Sequence, residues 1–136
     1  MTNYLPVVEK FHSLQGEGFH TGKSAYFIRL AGCNVGCSWC DTKKSWDSSK
    51  YPLIRIDSLI REVKKARTQG ASFLVITGGE PLHHNLDYFC NELKIKTEDR
   101  KFQSIKVHIE TSGVNTISGD FDWITLSPKR HNPPEK

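Results

Sequence analysis

Three of the chain's four cysteines fall close together, in the run Cys33-Asn-Val-Gly-Cys37-Ser-Trp-Cys40. Three thiolates at C-x3-C-x2-C spacing on a tight loop can ligate three irons of a [4Fe–4S] cubane and leave the fourth iron open. Electron carriers close all four corners with protein ligands. An open iron can instead chelate the amino and carboxylate groups of an amino-acid ligand. Zinc also takes thiolates, with Cys90 or a histidine as a fourth ligand, so the cysteine run alone leaves both metals open. Clustered thiols suit a reducing compartment better than a disulfide scaffold does.

The second signal is Gly78-Gly79-Glu80-Pro81. Two glycines after a buried strand let a backbone approach a ligand closely, and exposed carbonyls can accept from an ammonium group. A lone Gly-Gly more often marks a plain turn. Placed at the end of the next covered strand after the cysteines, it points to a joint site and away from a closed zinc centre. Glu80 itself reads as a brace for that loop. Cys90 reads as a small core hydrophobe, and the histidines show no metal spacing.

The elements that must hold these residues alternate between strand and helix. Tyr4 to Phe11 alternates loosely, as an edge strand would, and runs into a loop at Ser13-Leu-Gln-Gly-Glu-Gly18. Ser24 to Leu30 reads as a buried strand. Asp57 is a candidate N-cap for a helix whose inner face is Leu59, Ile60, Val63 and Ala66, with Gly70 as its stop. Ser72 to Thr77 is a continuous apolar run of the kind covered on both faces of a parallel sheet. A helix over about Asn85 to Leu93 places Leu86, Phe89, Cys90 and Leu93 inward, and strands follow at Ser104 to Ile109 and Phe121 to Leu126. Parallel βα units follow, and the polar cluster ending each strand falls on one rim, where such folds bind ligands.

Six stretches together carry a resemblance: Ser13-Leu-Gln-Gly-Glu-Gly18, Phe27-Ile-Arg-Leu-Ala-Gly-Cys33, Trp39-Cys-Asp-Thr42, Ile76-Thr-Gly-Gly-Glu-Pro81, Glu110-Thr-Ser-Gly113 and Ser127-Pro-Lys129. The chain resembles the radical S-adenosylmethionine (SAM) superfamily, and within it the 7-carboxy-7-deazaguanine synthase family. The resemblance implies an α/β fold, a partial (βα) barrel with a parallel sheet and covering helices. It implies a single radical SAM core domain over residues 1–136, shortened on its C-terminal side because family members run longer. The implied reaction is a carbon–nitrogen lyase step of queuosine biosynthesis. It contracts 6-carboxy-5,6,7,8-tetrahydropterin to 7-carboxy-7-deazaguanine and ammonia, with SAM, a [4Fe–4S] cluster and Mg2+ as cofactors.

Carried over by position, the resemblance gives Cys33, Cys37 and Cys40 to the cluster. It gives Trp39, Cys40, Asp41, Gly79, Glu110, Ser112, Ser127, Pro128 and Lys129 to SAM. Leu14, Gln15, Gly16, Arg29 and Thr77 go to the pterin, and Thr42 to Mg2+. The Arg29 fork suits a carboxylate. Without the resemblance, Arg29 reads as well as a surface ion pair, Trp39 as packing and Thr42 as a cap or turn residue. The resemblance further implies a flavodoxin or ferredoxin as reductant and a homodimer. Its rivals are another radical SAM reaction, such as glycyl-radical activation of a partner protein, and a non-catalytic zinc-binding module. Leu-Gln-Gly-Glu-Gly before the cysteines and Cys-Asp-Thr after them favour a small pterin over a protein substrate.

Composition bounds the rest. Hydrophobic content of 37% and charged content of 25% are ordinary for a folded domain. The net charge of +4 is scattered, without the dense basic stripe and interleaved aromatics of a nucleic-acid surface. No run has the ~18–20 apolar residues of a membrane span, and Met1-Thr-Asn-Tyr-Leu-Pro is no secretory signal. The expected setting is the cytoplasm.

Overall fold

The computed structural model describes residues 3–16, 19–32, 51–97, 105–113 and 116–126. Six strands form one sheet in the order β3-β1-β2-β4-β5-β6. They are β1 (Tyr4–Leu14), β2 (Ser24–Leu30), β3 (Leu53–Arg55), β4 (Phe73–Gly78), β5 (Lys106–Thr111) and β6 (Trp123–Leu126). Strands β2, β4, β5 and β6 pair in parallel, as the alternating pattern predicts, while β1 runs antiparallel to both β2 and β3. The sheet is therefore mixed at its N-terminal side. Helices α1 (Ile56–Thr68) and α2 (Asp87–Thr97) follow β3 and a 3-10 turn at Pro81–His83.

Several expected boundaries move. The first strand is not an edge: β3 pairs with it through Tyr4↔Arg55, Leu5↔Ile54 and Pro6↔Leu53. It also runs on to Leu14, because Ser13 and Leu14 still pair with Ala25 and Ser24. Asp57 does not cap α1. Arg55 holds the N-cap position without a side-chain cap bond, and Asp57 sits in the first turn, 3.6 Å from Arg55. The reason is the short β3, which runs straight into the helix and lets Asn3 O accept from Ile56 N–H at 2.9 Å. The second helix starts at Asp87 rather than Asn85, whose Oδ1 instead accepts from Asp87 N–H. Its expected inner face holds, with Leu86, Phe89, Cys90 and Leu93 all buried. Strand β6 starts at Trp123, two residues later than expected, and β5 runs on through Glu110 and Thr111.

The sheet has two unlike faces. One packs against α1 and α2 through Ile28, Leu30, Leu74, Ile76, Val107 and Ile109, which join the main core. The other carries Ala25, Phe27, Phe73 and Val75, a smaller buried cluster joined by Phe11. Period-two alternation sorts the residues this way, so each strand contributes every second side chain to that second, inner face.

Candidate active site on the inner face

Strand register turns the inner face into rows. Phe11, Phe27, Val75, His108 and Trp123 are successive partners across five strands. One step nearer the C-terminal ends of the parallel strands, Glu9 pairs with Arg29 and Arg29 with Thr77. Glu110, paired with Thr125, lies one residue beyond the Ile76↔Ile109 pair and so continues that row. A polar row thus stands above an apolar one, on the rim where parallel α/β folds bind ligands. Among the residues expected from sequence, Arg29, Thr77 and Glu110 share this row.

The turn after β1 folds across the same face. Gln15 is buried, and its Nε2 donates to Glu110 Oε2 at 3.3 Å. A residue expected at the pterin therefore touches one expected at SAM. Leu14 and Gly16 are exposed. Arg29 Nε donates to Glu9 Oε2 at 2.9 Å, so the ion pair weighed from sequence is present. It lies on the inner face with Glu9 half exposed, where a ligand carboxylate could share the guanidinium's remaining N–H groups.

Glu80 is fully enclosed, and its carboxylate is a hub. It accepts from Leu82 N at 2.9 Å, Thr111 Oγ1 at 2.6 Å, Ser112 N at 2.8 Å and Ser112 Oγ at 2.7 Å. The bracing role read from sequence holds, and it extends further: Glu80 ties the glycine loop after β4 to the loop after β5. Ser112, expected at SAM, already gives its hydroxyl proton to Glu80.

The root of the cysteine loop is described as far as Gly32. Leu30 O accepts from Gly79 N at 3.3 Å, and Gly32 O accepts from Glu80 N at 3.1 Å. Between them, Ala31 O takes His84 Nε2 at 2.6 Å. Gly32 has φ 95°, and a Cβ there would lie 3.3 Å from His84 Nε2. Burial holds the His84 imidazole below its ordinary range. His84 had no expected role, and no local pattern signals it, since its partner is a distant backbone carbonyl. Cys33, Cys37, Trp39, Cys40, Asp41, Thr42, Ser127, Pro128 and Lys129 lie outside the described residues. Among the described residues, no group of three His, Cys, Asp or Glu could hold a metal ion, and no helix is long and apolar enough to cross a membrane.

The foot of the inner face is aromatic. Phe73 stacks on His108 with ring centroids 3.9 Å apart, and His20 packs 4.7 Å from both His108 and Trp123. Burial, and then the neighbouring His20, push the His108 imidazole down to about 4, against a smaller opposing pull from Asp122. A histidine depressed in the fold binds a proton more readily when unfolded. Its stabilising contribution is therefore whole above pH ~6.5 and lost as pH falls towards 4. His108→Phe is expected to reduce the stability loss between pH 7.5 and pH 5 by on the order of 1 kcal/mol, once screening by solvent is allowed for. Urea midpoints of both proteins at the two pH values check this. Parallel losses in the two would refute it.

The described groups suit an amino-acid-bearing, hydroxyl-rich ligand. Arg29 can meet a carboxylate, while Glu110 and Gln15 can accept from hydroxyls, beside a water-poor aromatic floor. The family model of the radical SAM superfamily matches residues 27–126. The 7-carboxy-7-deazaguanine synthase of Prochlorococcus marinus is 54% identical over 136 residues, covering 100% of this chain and 60% of its own length. The Synechocystis sp. enzyme of the same name is 45% identical over 135 residues, covering 99% and 60%. The crystal structure of QueE from Escherichia coli superposes with a TM-score of 0.78 at 34% identity, covering 93% of this chain and 60% of that one. The chain thus spans about 60% of the length of these relatives.

Proposed function

Since the chain belongs to the radical SAM superfamily, we propose that it carries the cluster, SAM and pterin groups of a 7-carboxy-7-deazaguanine synthase. That activity is the conversion of 6-carboxy-5,6,7,8-tetrahydropterin to 7-carboxy-7-deazaguanine with release of ammonia. Cys33, Cys37 and Cys40 would hold the [4Fe–4S] cluster. Trp39, Asp41, Gly79, Glu110, Ser112 and Ser127 to Lys129 would hold SAM, and Thr42 would hold Mg2+. When bound, the cluster and SAM supply the reducing electron and the radical that starts the ring contraction.

The observation that carries this reading is the polar row. Arg29, Thr77 and Glu110 stand on one rim, with Gln15 folded over them. Arg29 orients the pterin carboxylate, keeping part of its fork on Glu9. Glu110 divides its oxygens between Gln15 and a ligand hydroxyl, so that turn and ligand order each other. Thr77 is buried beside Arg29, where it can read a pterin heteroatom without admitting water. Beneath them, Phe27 and Val75 form a dry floor that limits side reactions. A flavodoxin or ferredoxin as electron donor, a homodimer and a cytoplasmic setting complete the proposal.

The test is anaerobic reconstitution followed by incubation with the tetrahydropterin, SAM, Mg2+ and dithionite. The expected result is about four irons per chain and the deazaguanine acid by mass spectrometry. SAM cleavage without that product would move the chain to another radical SAM reaction. A colourless protein holding one zinc would favour a binding module instead.

A further inference from the structure

We propose that His84 is a positioning residue for the cluster loop. It would fix the Ala31–Gly32 turn from which Cys33 departs, an inference that rests on the cluster assignment above. Three consecutive carbonyls, of Leu30, Ala31 and Gly32, are captured by one segment, Gly79 to His84. A parallel neighbour strand takes its partner's carbonyls from alternate residues, so holding every carbonyl here needs a reach that backbone alone does not give. The outer two bonds come from the Gly79 and Glu80 amides, and the middle one comes from the imidazole. The middle bond alone comes from a side chain, so an ordinary side-chain substitution can remove it without altering the backbone.

His84 is itself held for this task. Its backbone N–H donates to Pro81 O at 3.1 Å, and its backbone carbonyl accepts from Ser118 Oγ at 3.2 Å. The His83 ring meets it edge-on with centroids 5.3 Å apart. To donate to a carbonyl, Nε2 must carry the proton. Across the contact, Ala31 is fully buried, so water cannot replace a lost donor. Gly32 lies in the left-handed region with its Cα turned to the imidazole, where a side chain would crowd Nε2 and Cε1. The ring thus sets both the direction of the Ala31 peptide and the space through which the chain turns. The same segment begins with Gly79 and Glu80, so the cluster side and the SAM side of the site share one clamp.

The test compares His84→Phe, which keeps an aromatic ring and removes the donor, with His84→Gln, which restores an N–H of similar reach. Both are made in the full chain and reconstituted anaerobically. The measurements are the rate of iron loss to a chelator, the midpoint potential of the cluster, the dissociation constant for SAM and the melting temperature of the metal-free chain. Expected for His84→Phe is roughly tenfold faster iron loss, a shifted potential and several-fold weaker SAM binding. Its metal-free melting temperature should stay near that of the wild type, and His84→Gln should recover most of each loss. If phenylalanine and glutamine behave alike, or iron loss merely follows melting temperature, the bond is packing and the proposal falls. A wild-type chain that takes up no cluster would instead overturn the cluster assignment itself, and the two failures are thereby told apart.

Discussion

Replacing Glu80 by alanine is expected to cost about 3–5 kcal/mol of stability and to lower the melting temperature by roughly 10–20 °C. The reason is the number of donors left behind. Leu82 N–H, Ser112 N–H and the Thr111 and Ser112 hydroxyls all end on this one buried carboxylate. The hydroxyls can rotate to other acceptors, but the two amides cannot, and a buried amide without a partner costs about 1–3 kcal/mol. Against a typical total of about 5–15 kcal/mol, the loss is a large fraction.

Glu80→Gln sharpens the test because it keeps the shape. An amide can still accept from the Ser112 side, but its NH2 then faces Leu82 N–H, donor against donor. About 2 kcal/mol should be lost. SAM affinity should fall in both variants, since Ser112 and the glycine loop would no longer be fixed to each other. Urea unfolding and SAM titration check the pair. If Glu80→Ala loses under about 1 kcal/mol, the carboxylate is not the tie described here.

How far the sequence foretells this arrangement depends on what kind of interaction sets each element. Phe73–Gly78 is legible because a strand covered on both faces must be apolar throughout, and its residues from Phe73 to Ile76 are all buried. The rim is legible for a related reason: a parallel sheet forces its strand ends to one side, so polar residues after each strand converge. Strand β1 is read less well. Its inner face carries Glu9 beside Phe11, so alternation is blurred, and nothing in its own residues names β3 as a neighbour. Three residues, Leu53 to Arg55, are too few to show a period. The Asp57 cap fails because β3 carries the chain straight into a helix that starts at Ile56, so Asp57 is already inside the first turn.

The candidate site divides along the same line. Arg29, Thr77 and Glu110 are named by the resemblance and not by their own residue types, and strand register then carries them onto one row. Glu80 is read as a brace, yet its reach to Ser112 spans two loops and follows only from the fold. His84 is missed altogether. The pair shows no metal-ligand spacing, and a bond to a backbone carbonyl leaves no trace in the partner's residue type.

Gly78 carries the other large expected effect, and it separates packing from ligand binding. A Cβ on Gly78 would lie 2.6 Å from Leu30 O and 3.3 Å from Leu30 N, both backbone atoms that cannot swing aside. Gly78→Ala must therefore push β4 from β2 at the upper end of their pairing, where Gly79 N–H reaches the same Leu30 carbonyl. About 2–4 kcal/mol should be lost, and Gly78→Val should lose more. Gly16→Ala is the counterpart, because nothing lies within 4 Å of the Cβ it would gain. That variant should unfold within about 0.5 kcal/mol of the wild type, so any loss of turnover in it reports contact with substrate. Urea unfolding of the three variants, read beside their turnover, distinguishes the two kinds of glycine. Equal stability of Gly78→Ala and Gly16→Ala would mean that β2 and β4 are not in the close contact on which the shared clamp depends.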